Sequence, residues 1–234
     1  MEVGEIRSLK DSPLFFSVLV DVSGSSKQFA DQQIAATTKL FRDLSVGENH
    51  GYLVLFKDKV ASNDQVLSAA QVEEILKHFP AQSRWGGTSL HDALIHAATV
   101  QLASTKLPGD SRRAIFVLSD FEDDTSRSSL SATLKVLQEQ STPVIAIGFH
   151  SSSSAKGVKI ELTTVKALTN ATGGWGTFLD EPGDVVGRAA GLTNGQCLVL
   201  FKPPALKPNK SYPMRIESSN KDVHIMAPKE FVVP

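Results

Sequence analysis

Four short, almost continuous apolar runs set the strongest limit on how this chain can fold. Each has five to seven residues rich in Val, Ile, Leu and Phe, and they cover residues 14–20, 52–56, 114–118 and 144–149. A strand has this composition when both of its faces are buried, as in a sheet that carries helices on each side. The runs therefore predict buried strands of one sheet.

Segments with helical spacing separate these runs. A further short helix is predicted over residues 71–79. The apolar residues that share a helical face are Ile34, Thr38, Phe41 and Leu44, then Leu90, Leu94 and Ala97, then Leu130, Leu134 and Leu137, and finally Leu162, Val165 and Leu168. Alternating strands and helices predict an α/β fold with a doubly wound, mostly parallel sheet and helices on both faces.

The last part of the chain differs in composition from the rest. Residues 202–234 are rich in proline and hold six basic and three acidic side chains, whereas the whole chain has a net charge of −1. We place a first domain at residues 1–195 and a C-terminal β-rich extension at residues 196–234. Short strands are expected at residues 196–201, 213–217 and 223–226. Since residues 196–201 are apolar on both faces, we expect the extension to pack on the domain.

Composition also excludes several classes of function. The 24 Lys and Arg against 25 Asp and Glu leave no strongly basic surface, which argues against nucleic-acid binding. The single cysteine, Cys197, excludes an internal disulfide and a cysteine-based zinc site, and its apolar neighbours predict a buried thiol. No apolar run is long enough to span a membrane, and the first residues lack the apolar core of a signal peptide.

Hydroxyl and carboxylate side chains follow two of the predicted strands. Asp21, Ser23 and Ser25 come directly after the first run, and Asp120 follows the run at residues 114–118. Thr88 follows two glycines and precedes a predicted helix. Ligands of open α/β sheets bind at the carboxyl ends of the strands, and hard oxygen atoms suit Mg²⁺. The alternative for the first three residues is helix capping, which also favours Asp and Ser.

These three segments resemble the von Willebrand factor type A domain. Asp21-Val22-Ser23-Gly24-Ser25, the stretch from Gly86 to Leu94 and Leu118-Ser119-Asp120 are similar to its metal-ion-dependent adhesion site in identity, order and spacing, and the resemblance covers about residues 12–194. It implies Mg²⁺, with Mn²⁺ or Ca²⁺ as alternatives, and an open coordination position that accepts an Asp or Glu side chain of a protein partner. The implied ligands are Asp21, Ser23, Ser25, Thr88 and Asp120.

The C-terminal segments resemble a bacterial, largely acidobacterial, group of proteins related to this family. That resemblance implies an exported or cell-envelope protein in bacteria. Two positions depart from the pattern: Phe121 stands where a glycine commonly follows the aspartate, and residues 228–231 replace the usual close of the sequence. We expect an unusual shape for the loop after Asp120.

Other residues near the motif have competing interpretations. Trp85 either packs under the sheet edge or stands at the ligand face as a contact residue. Glu122, with Asp123 and Asp124, is a candidate for a second, weaker divalent site or for the ligand face. Asp92 lies in the first turn of a predicted helix, where an acid is favourable.

The sequence predicts a non-enzymatic, metal-dependent protein-binding module. One alternative is a scaffold or regulatory subunit with a structural metal and a partner bound through the basic tail. A less favoured alternative is a Mg²⁺-dependent hydrolase, which would need a positioned base that the sequence does not supply.

Overall fold

A six-stranded sheet forms the centre of the molecule, seen in a computed structural model that describes residues 2–80, 84–103, 106–149, 155–178, 184–202, 206–207, 210–222 and 224–232. Its strand order is β4-β3-β2-β5-β6-β7. Strands β3, β2, β5, β6 and β7 are parallel, and the edge strand β4 is antiparallel to β3. The prediction of a mostly parallel sheet is confirmed. The strands are β2 (Leu14–Asp21), β3 (His50–Phe56), β4 (Val60–Ala61), β5 (Arg112–Ser119), β6 (Val144–Gly148) and β7 (Trp175–Phe178).

Helices connect these strands. A π-helical turn, Ala97–Gln101, extends α3, and 3₁₀ turns lie at Ser25–Phe29 and Thr193–Gly195. Within the described residues, no helix is both long and apolar enough to cross a membrane. The helices are α1 (Ala30–Leu44), α2 (Ala69–Lys77), α3 (Leu90–His96), α4 (Leu130–Glu139), α5 (Ala155–Thr172) and α6 (Val185–Leu192).

The sequence patterns do not predict β7 or α6. The strand β7 has the sequence Trp-Gly-Thr-Phe, which is no continuous apolar run. The helix α6 has eight residues and contains Gly187 and Gly191, which lower its intrinsic helix propensity. It is held by a cap in which the Asp184 carboxylate accepts a hydrogen bond of 2.8 Å from the Gly187 N–H, and by burial of Ala189 and Ala190.

The helices form two layers, one on each face of the sheet. Apolar residues of α1, α2 and α6 pack on one face, as Phe41, Leu76 and Ala189 illustrate. Residues of α3, α4 and α5 pack on the other. Because both faces are covered, β2 and β5 are buried along almost their whole length. These two central strands are direct neighbours, and the chain leaves their carboxyl ends toward opposite layers.

A separate two-stranded ribbon joins the start of the chain to a strand that follows α6. Strand β1 (Glu2–Ser8) pairs antiparallel with β8 (Cys197–Lys202). The Gln196 side chain fixes the ribbon to the main sheet, since it accepts from the Arg113 N–H at 3.0 Å and donates to the Arg113 carbonyl at 2.7 Å. The expectation of a buried Cys197 is wrong: the residue is exposed, because no layer of the described residues covers its side chain on the ribbon.

The extension ends in a second short pair of strands. Strand β9 (Ser211–Pro213) pairs with β10 (Glu230–Val232), and the Lys229 N–H donates to the Asn170 carbonyl of α5 at 3.1 Å. The predicted strands at residues 213–217 and 223–226 are wrong for residues 214–217 and 224–226, which belong to the wide loop between β9 and β10. Residue 223 lies outside the described residues. The extent of the two domains stays a prediction.

Candidate metal centre

Three loops meet at the carboxyl edge of β2 and β5. Loop A is residues 21–26, loop B is residues 84–89 and loop C is residues 119–128. Loop A carries Asp21, Ser23 and Ser25, loop B carries Thr88, and loop C carries Asp120. Of these five side chains, only Ser25 is exposed, and the other four residues are buried.

Loop A turns tightly around its own aspartate. The Ser23 N–H donates to Asp21 Oδ1 at 2.9 Å. The buried Ser26 hydroxyl lies 2.9 Å from both the Asp21 and the Ser23 carbonyl oxygens. The hydroxyls of Ser23 and Ser25 are 3.2 Å apart. The turn therefore brings one carboxylate and two hydroxyls together.

Loop C meets loop A through a hydroxyl that the sequence analysis did not single out. Ser119, the last residue of β5, donates to Asp21 Oδ2 at 2.7 Å and accepts from the Phe121 N–H at 3.0 Å. Asp120 Oδ1 accepts from the Glu122 N–H at 3.2 Å. Asp120 Oδ2 is buried and has no hydrogen-bond partner among the residues that the structure describes.

Loop B is held from three sides. The Gly24 N–H of loop A donates to the Gly86 carbonyl at 3.1 Å. The Gly87 N–H donates to Asp58 Oδ1 at 2.7 Å, and the Thr88 N–H donates to Asp124 Oδ1 at 2.6 Å. A Cβ atom on Gly87 would lie 2.6 Å from that Asp124 oxygen, so glycine is required for this close approach.

The carboxylates of the site repel each other. The pKa of Asp21 is raised to about 6, first by burial and then by the neighbouring Asp120 charge, while the hydrogen bonds from Ser23 and Ser119 act to lower it. An isolated buried carboxylate is unfavourable unless a cation or hydrogen bonds compensate its charge. Two such groups side by side therefore form a place where a cation is stabilised.

A buried arginine lies under loop A and was not predicted as a site residue. Arg84 Nη1 donates to the Asp21 carbonyl at 2.8 Å, to the Ser26 hydroxyl at 3.1 Å and to Gln33 Oε1. Gln33 in turn donates to the Leu118 carbonyl at 3.0 Å. Burial lowers the pKa of Arg84 to about 10, although the Asp21 and Asp31 charges raise it. The one feature of the sequence that could have indicated Arg84 as a site residue was its position directly before Trp85 and Gly86.

A family model of known proteins matches this chain. The family model of VWA domain containing CoxE-like proteins matches residues 5–172, well over half of the chain. The chain belongs to this VWA family. No curated protein is similar enough to match it. The narrower resemblance to acidobacterial proteins stays a prediction.

Solved structures share the fold of this VWA domain. The conserved hypothetical protein BatB from Bacteroides thetaiotaomicron has a TM-score of 0.59 and 11% identity over 76% of this chain and 96% of that one. A von Willebrand factor type A protein from Catenulispora acidiphila has a TM-score of 0.55 and 16% identity over 82% and 49%. Proximal thread matrix protein 1 of the mussel byssus, whose structure has a zinc-occupied MIDAS motif, has a TM-score of 0.60 and 14% identity over 80% and 47%. These identities show a common fold alone.

The donor set of the VWA domain fits a divalent cation. Asp120 Oδ2 is a buried acceptor without a partner in the described part of the chain, and it lies near the raised-pKa carboxyl of Asp21. The remaining candidate donors are the hydroxyls of Ser23, Ser25 and Thr88. Carboxylate and hydroxyl oxygens are hard ligands that suit Mg²⁺, Mn²⁺ or Ca²⁺.

Two further acids of loop C hold the loop in place. Asp123 Oδ2 accepts from the His91 N–H at 2.9 Å and from the Ser126 hydroxyl at 2.6 Å. Asp124 accepts from Thr88 as described above. Among the described residues, no group of three or more His, Cys, Asp or Glu side chains could hold a metal. Asp123 and Asp124 thus position loops B and C through these hydrogen bonds, and a second, weaker divalent site at Glu122, Asp123 or Asp124 stays a prediction.

Trp85 stands at the surface of loop B. Its side chain is 62% exposed, and the Lys57 ammonium lies 3.7 Å from the centre of the ring. This exposure does not fit packing under the sheet edge, and a place for Trp85 at the ligand face stays a prediction. Glu122 is half-buried on loop C.

Proposed function

We propose that this VWA domain is a non-enzymatic, divalent-metal-dependent protein-binding module. One observation carries the proposal: the buried Asp21 and Asp120 carboxylates lie close enough to repel each other, and Asp120 Oδ2 has no partner within the described residues. This arrangement favours the binding of a further cation. Three loops that bind each other through backbone and side-chain hydrogen bonds keep the two acids together.

In this proposal, five residues hold the ion: Asp21, Ser23, Ser25, Thr88 and Asp120. Ser119 and the Ser23 N–H orient the Asp21 carboxylate, and the Glu122 N–H orients that of Asp120. The bound ion, with Mg²⁺ as the first choice, supplies positive charge and a coordination position for a carboxylate from outside. The partner is then a protein that presents an Asp or Glu side chain.

The surface around the site suits a protein contact. Ser25 is exposed on loop A, and Trp85 is exposed on loop B beside Lys57. Tryptophan is enriched among residues that dominate interface energies. We expect Trp85, with Glu122 across the site, to border the acidic side chain of the partner. An exported or envelope location in bacteria belongs to the same proposal.

A binding assay in which Mg²⁺ is added, removed and restored tests the function. Immobilised wild-type protein should retain a partner from an extract of the native organism when Mg²⁺ is present, lose it with a chelator and regain it when Mg²⁺ is restored. Asp21→Ala should retain none. Asp110→Asn is the matched control, because Asp110 is exposed and lies before β5, at the opposite end of that strand from Asp120. Partner retention that does not change with the chelator would contradict the proposal.

A second candidate is a partner site on the C-terminal extension. Ile216, Ile225 and Met226 are exposed large apolar side chains in the loop between β9 and β10. If this loop carried the binding, Asp21→Ala would lower only the melting temperature and leave partner retention intact. A turnover screen with Mg²⁺ separates the hydrolase alternative from both binding modules.

A further inference from the structure

Arg84 places a positive charge inside the site, on the side away from solvent. Its residue is 3% exposed, and Nη1 makes all the hydrogen bonds that the guanidinium has among the described residues. Nε and Nη2 are buried without a partner in that part of the chain. A neutral amide could serve as a clamp for the Asp21 carbonyl, so hydrogen bonding alone does not account for a buried cation with two unsatisfied nitrogens.

The guanidinium acts on the site by charge. It binds the backbone carbonyl of Asp21, while the carboxylate oxygens of that residue accept from the Ser23 N–H and the Ser119 hydroxyl. Asp21 and Asp31 are the acids that act electrostatically on Arg84, and Asp31 is exposed at the start of α1. Among the described residues, the buried charges of the site are thus two carboxylates and one guanidinium.

These charges add up to −1 without a metal and to +1 with a divalent ion. A single carboxylate from a partner then makes the site neutral, whereas without Arg84 the metal-loaded site would already be neutral. In a buried, poorly screened site, such a difference of one unit has a large effect on which ligand binds.

We propose that Arg84 determines the specificity of the metal centre: it weakens binding of the metal alone and strengthens binding of one carboxylate to the metal-loaded site. This inference rests on the proposed metal-dependent function and names the chemistry of its ligand, a single carboxylate side chain. The partner does not need to present two neighbouring acidic side chains.

Two affinities measured separately test the role of Arg84. Mn²⁺ serves as the metal probe, followed by water-proton relaxation, and acetate serves as the carboxylate probe on the Mn²⁺-loaded protein. In Arg84→Gln, which removes the charge but keeps a donor for the Asp21 carbonyl, we expect Mn²⁺ to bind roughly tenfold more tightly and acetate roughly tenfold more weakly. A purely structural role for Arg84 would not move the two affinities in opposite directions.

Arg84→Lys is the matched control. It keeps the charge and changes the hydrogen-bond geometry, so both affinities should stay within about threefold of wild type. Gln33→Glu is a second, independent variant. It places a carboxylate against the guanidinium, since Gln33 Oε1 accepts from Arg84. It should shift both affinities in the same directions as Arg84→Gln, which keeps the test valid if Arg84→Gln does not fold.

The outcomes separate this inference from the proposed function. If wild-type protein binds no Mn²⁺, the metal centre itself is wrong and the inference falls with it. If wild type binds Mn²⁺ and acetate but the folded neutralising variants bind Mn²⁺ equally or more weakly, the role of Arg84 is wrong and the metal centre stands. Loss of Mn²⁺ binding in Arg84→Lys would likewise overturn the role of charge and indicate a hydrogen-bonded clamp.

Discussion

Phe121 combines a strained backbone with a buried side chain. Its φ angle is +61°, in the left-handed region that favours glycine, and its ring is buried in the core on the face of the sheet that α3, α4 and α5 cover. This conformation costs about 1 kcal/mol for a residue with a Cβ atom. The family pattern commonly has a glycine at this position, and a glycine adopts this conformation without strain. Phe121 accepts the strain and contributes a buried ring to the core instead. The loop keeps a glycine-like backbone conformation at Phe121.

The strain predicts an unusual order of stability for two Phe121 variants. Both Phe121→Ala and Phe121→Gly lose the buried ring, which costs about 3–5 kcal/mol, but glycine relieves the backbone strain. Phe121→Gly should therefore be more stable than Phe121→Ala by about 1 kcal/mol in urea unfolding. At Phe116, buried in β5 with ordinary strand geometry, alanine should be the more stable of the two. The same order at both positions would contradict the prediction.

Replacing Asp120 should weaken metal binding without lowering the stability of the metal-free fold. Asp120→Asn removes a buried charge that repels Asp21, so the metal-free variant should melt no lower than wild type. At an Mg²⁺ concentration 100 times its Kd, wild type should gain about 2.7 kcal/mol of stability, and Asp120→Asn should gain none. Calorimetric melting with and without Mg²⁺ measures both quantities, with Asp110→Asn as control. An equal Mg²⁺ gain in the variant would exclude Asp120 as a ligand.

At the scale of elements, α3 and loop C are joined by Asp92. Its carboxylate accepts from the Arg127 N–H at 3.0 Å and from the Ser128 N–H at 3.1 Å. Partial burial acts to raise the pKa of Asp92, but the hydrogen bonds from Arg127 and Ser128 outweigh it, so this pKa lies below its ordinary value. A structural role for Asp92 in the first turn of α3 stays a prediction. The structure adds a contact from Asp92 to loop C.

Replacing Asp92 tests this junction. Asp92→Asn should lower the free energy of unfolding at pH 7 by about 1–3 kcal/mol, because an amide cannot accept both hydrogen bonds. Since the folded pKa is depressed, the contribution of the carboxylate is present above the unfolded value of 3.8 and is lost as the pH falls through the folded value. Urea unfolding at pH 7 and near pH 3 checks this. A variant that loses as much stability at the acid pH as at pH 7 would contradict it.

At the scale of the whole molecule, the start of the chain is coupled to the C-terminal extension through the β1–β8 ribbon. Strand β1 pairs with β8, and Gln196 joins the base of the ribbon to β5. The ribbon is exposed at Ile6 and Leu200. A two-stranded pair is marginal by itself in water, so its attachment to the main sheet contributes to its stability.

Removing residues 196–234 should therefore destabilise the rest of the chain. The deletion leaves β1 without its partner and removes both Gln196 bonds to Arg113, each of which contributes about 1 kcal/mol. We expect the melting temperature to fall by roughly 4–8 °C. Gln196→Ala in the full chain should reproduce part of this loss. A chain of residues 1–195 that melts at the same temperature as the full chain would instead show that the extension is an independent arm.

Local patterns were enough to predict much of this fold. The four buried strands, the order of strands and helices and the mostly parallel sheet follow from the spacing of apolar residues, because burial on two faces imposes a composition that can be read directly. The candidate metal ligands could be proposed because Asp21 and Asp120 stand at the ends of predicted strands. Short elements that contain glycine or have a mixed composition, such as α6 and β7, carry too weak a local pattern to be predicted from the sequence.

Other features depend on contacts between residues far apart in the chain. The pairing of β1 with β8 joins segments far apart in the sequence, and the exposure of Cys197 follows from that pairing rather than from its apolar neighbours. The burial of Arg84 under loop A, and the exposure of Trp85 beside it, were decided by the way three separate loops meet. Periodicity describes one segment at a time, so the sequence by itself determined the four buried strands, most of the helices and the candidate ligands, and the tertiary structure decided which charges surround those ligands.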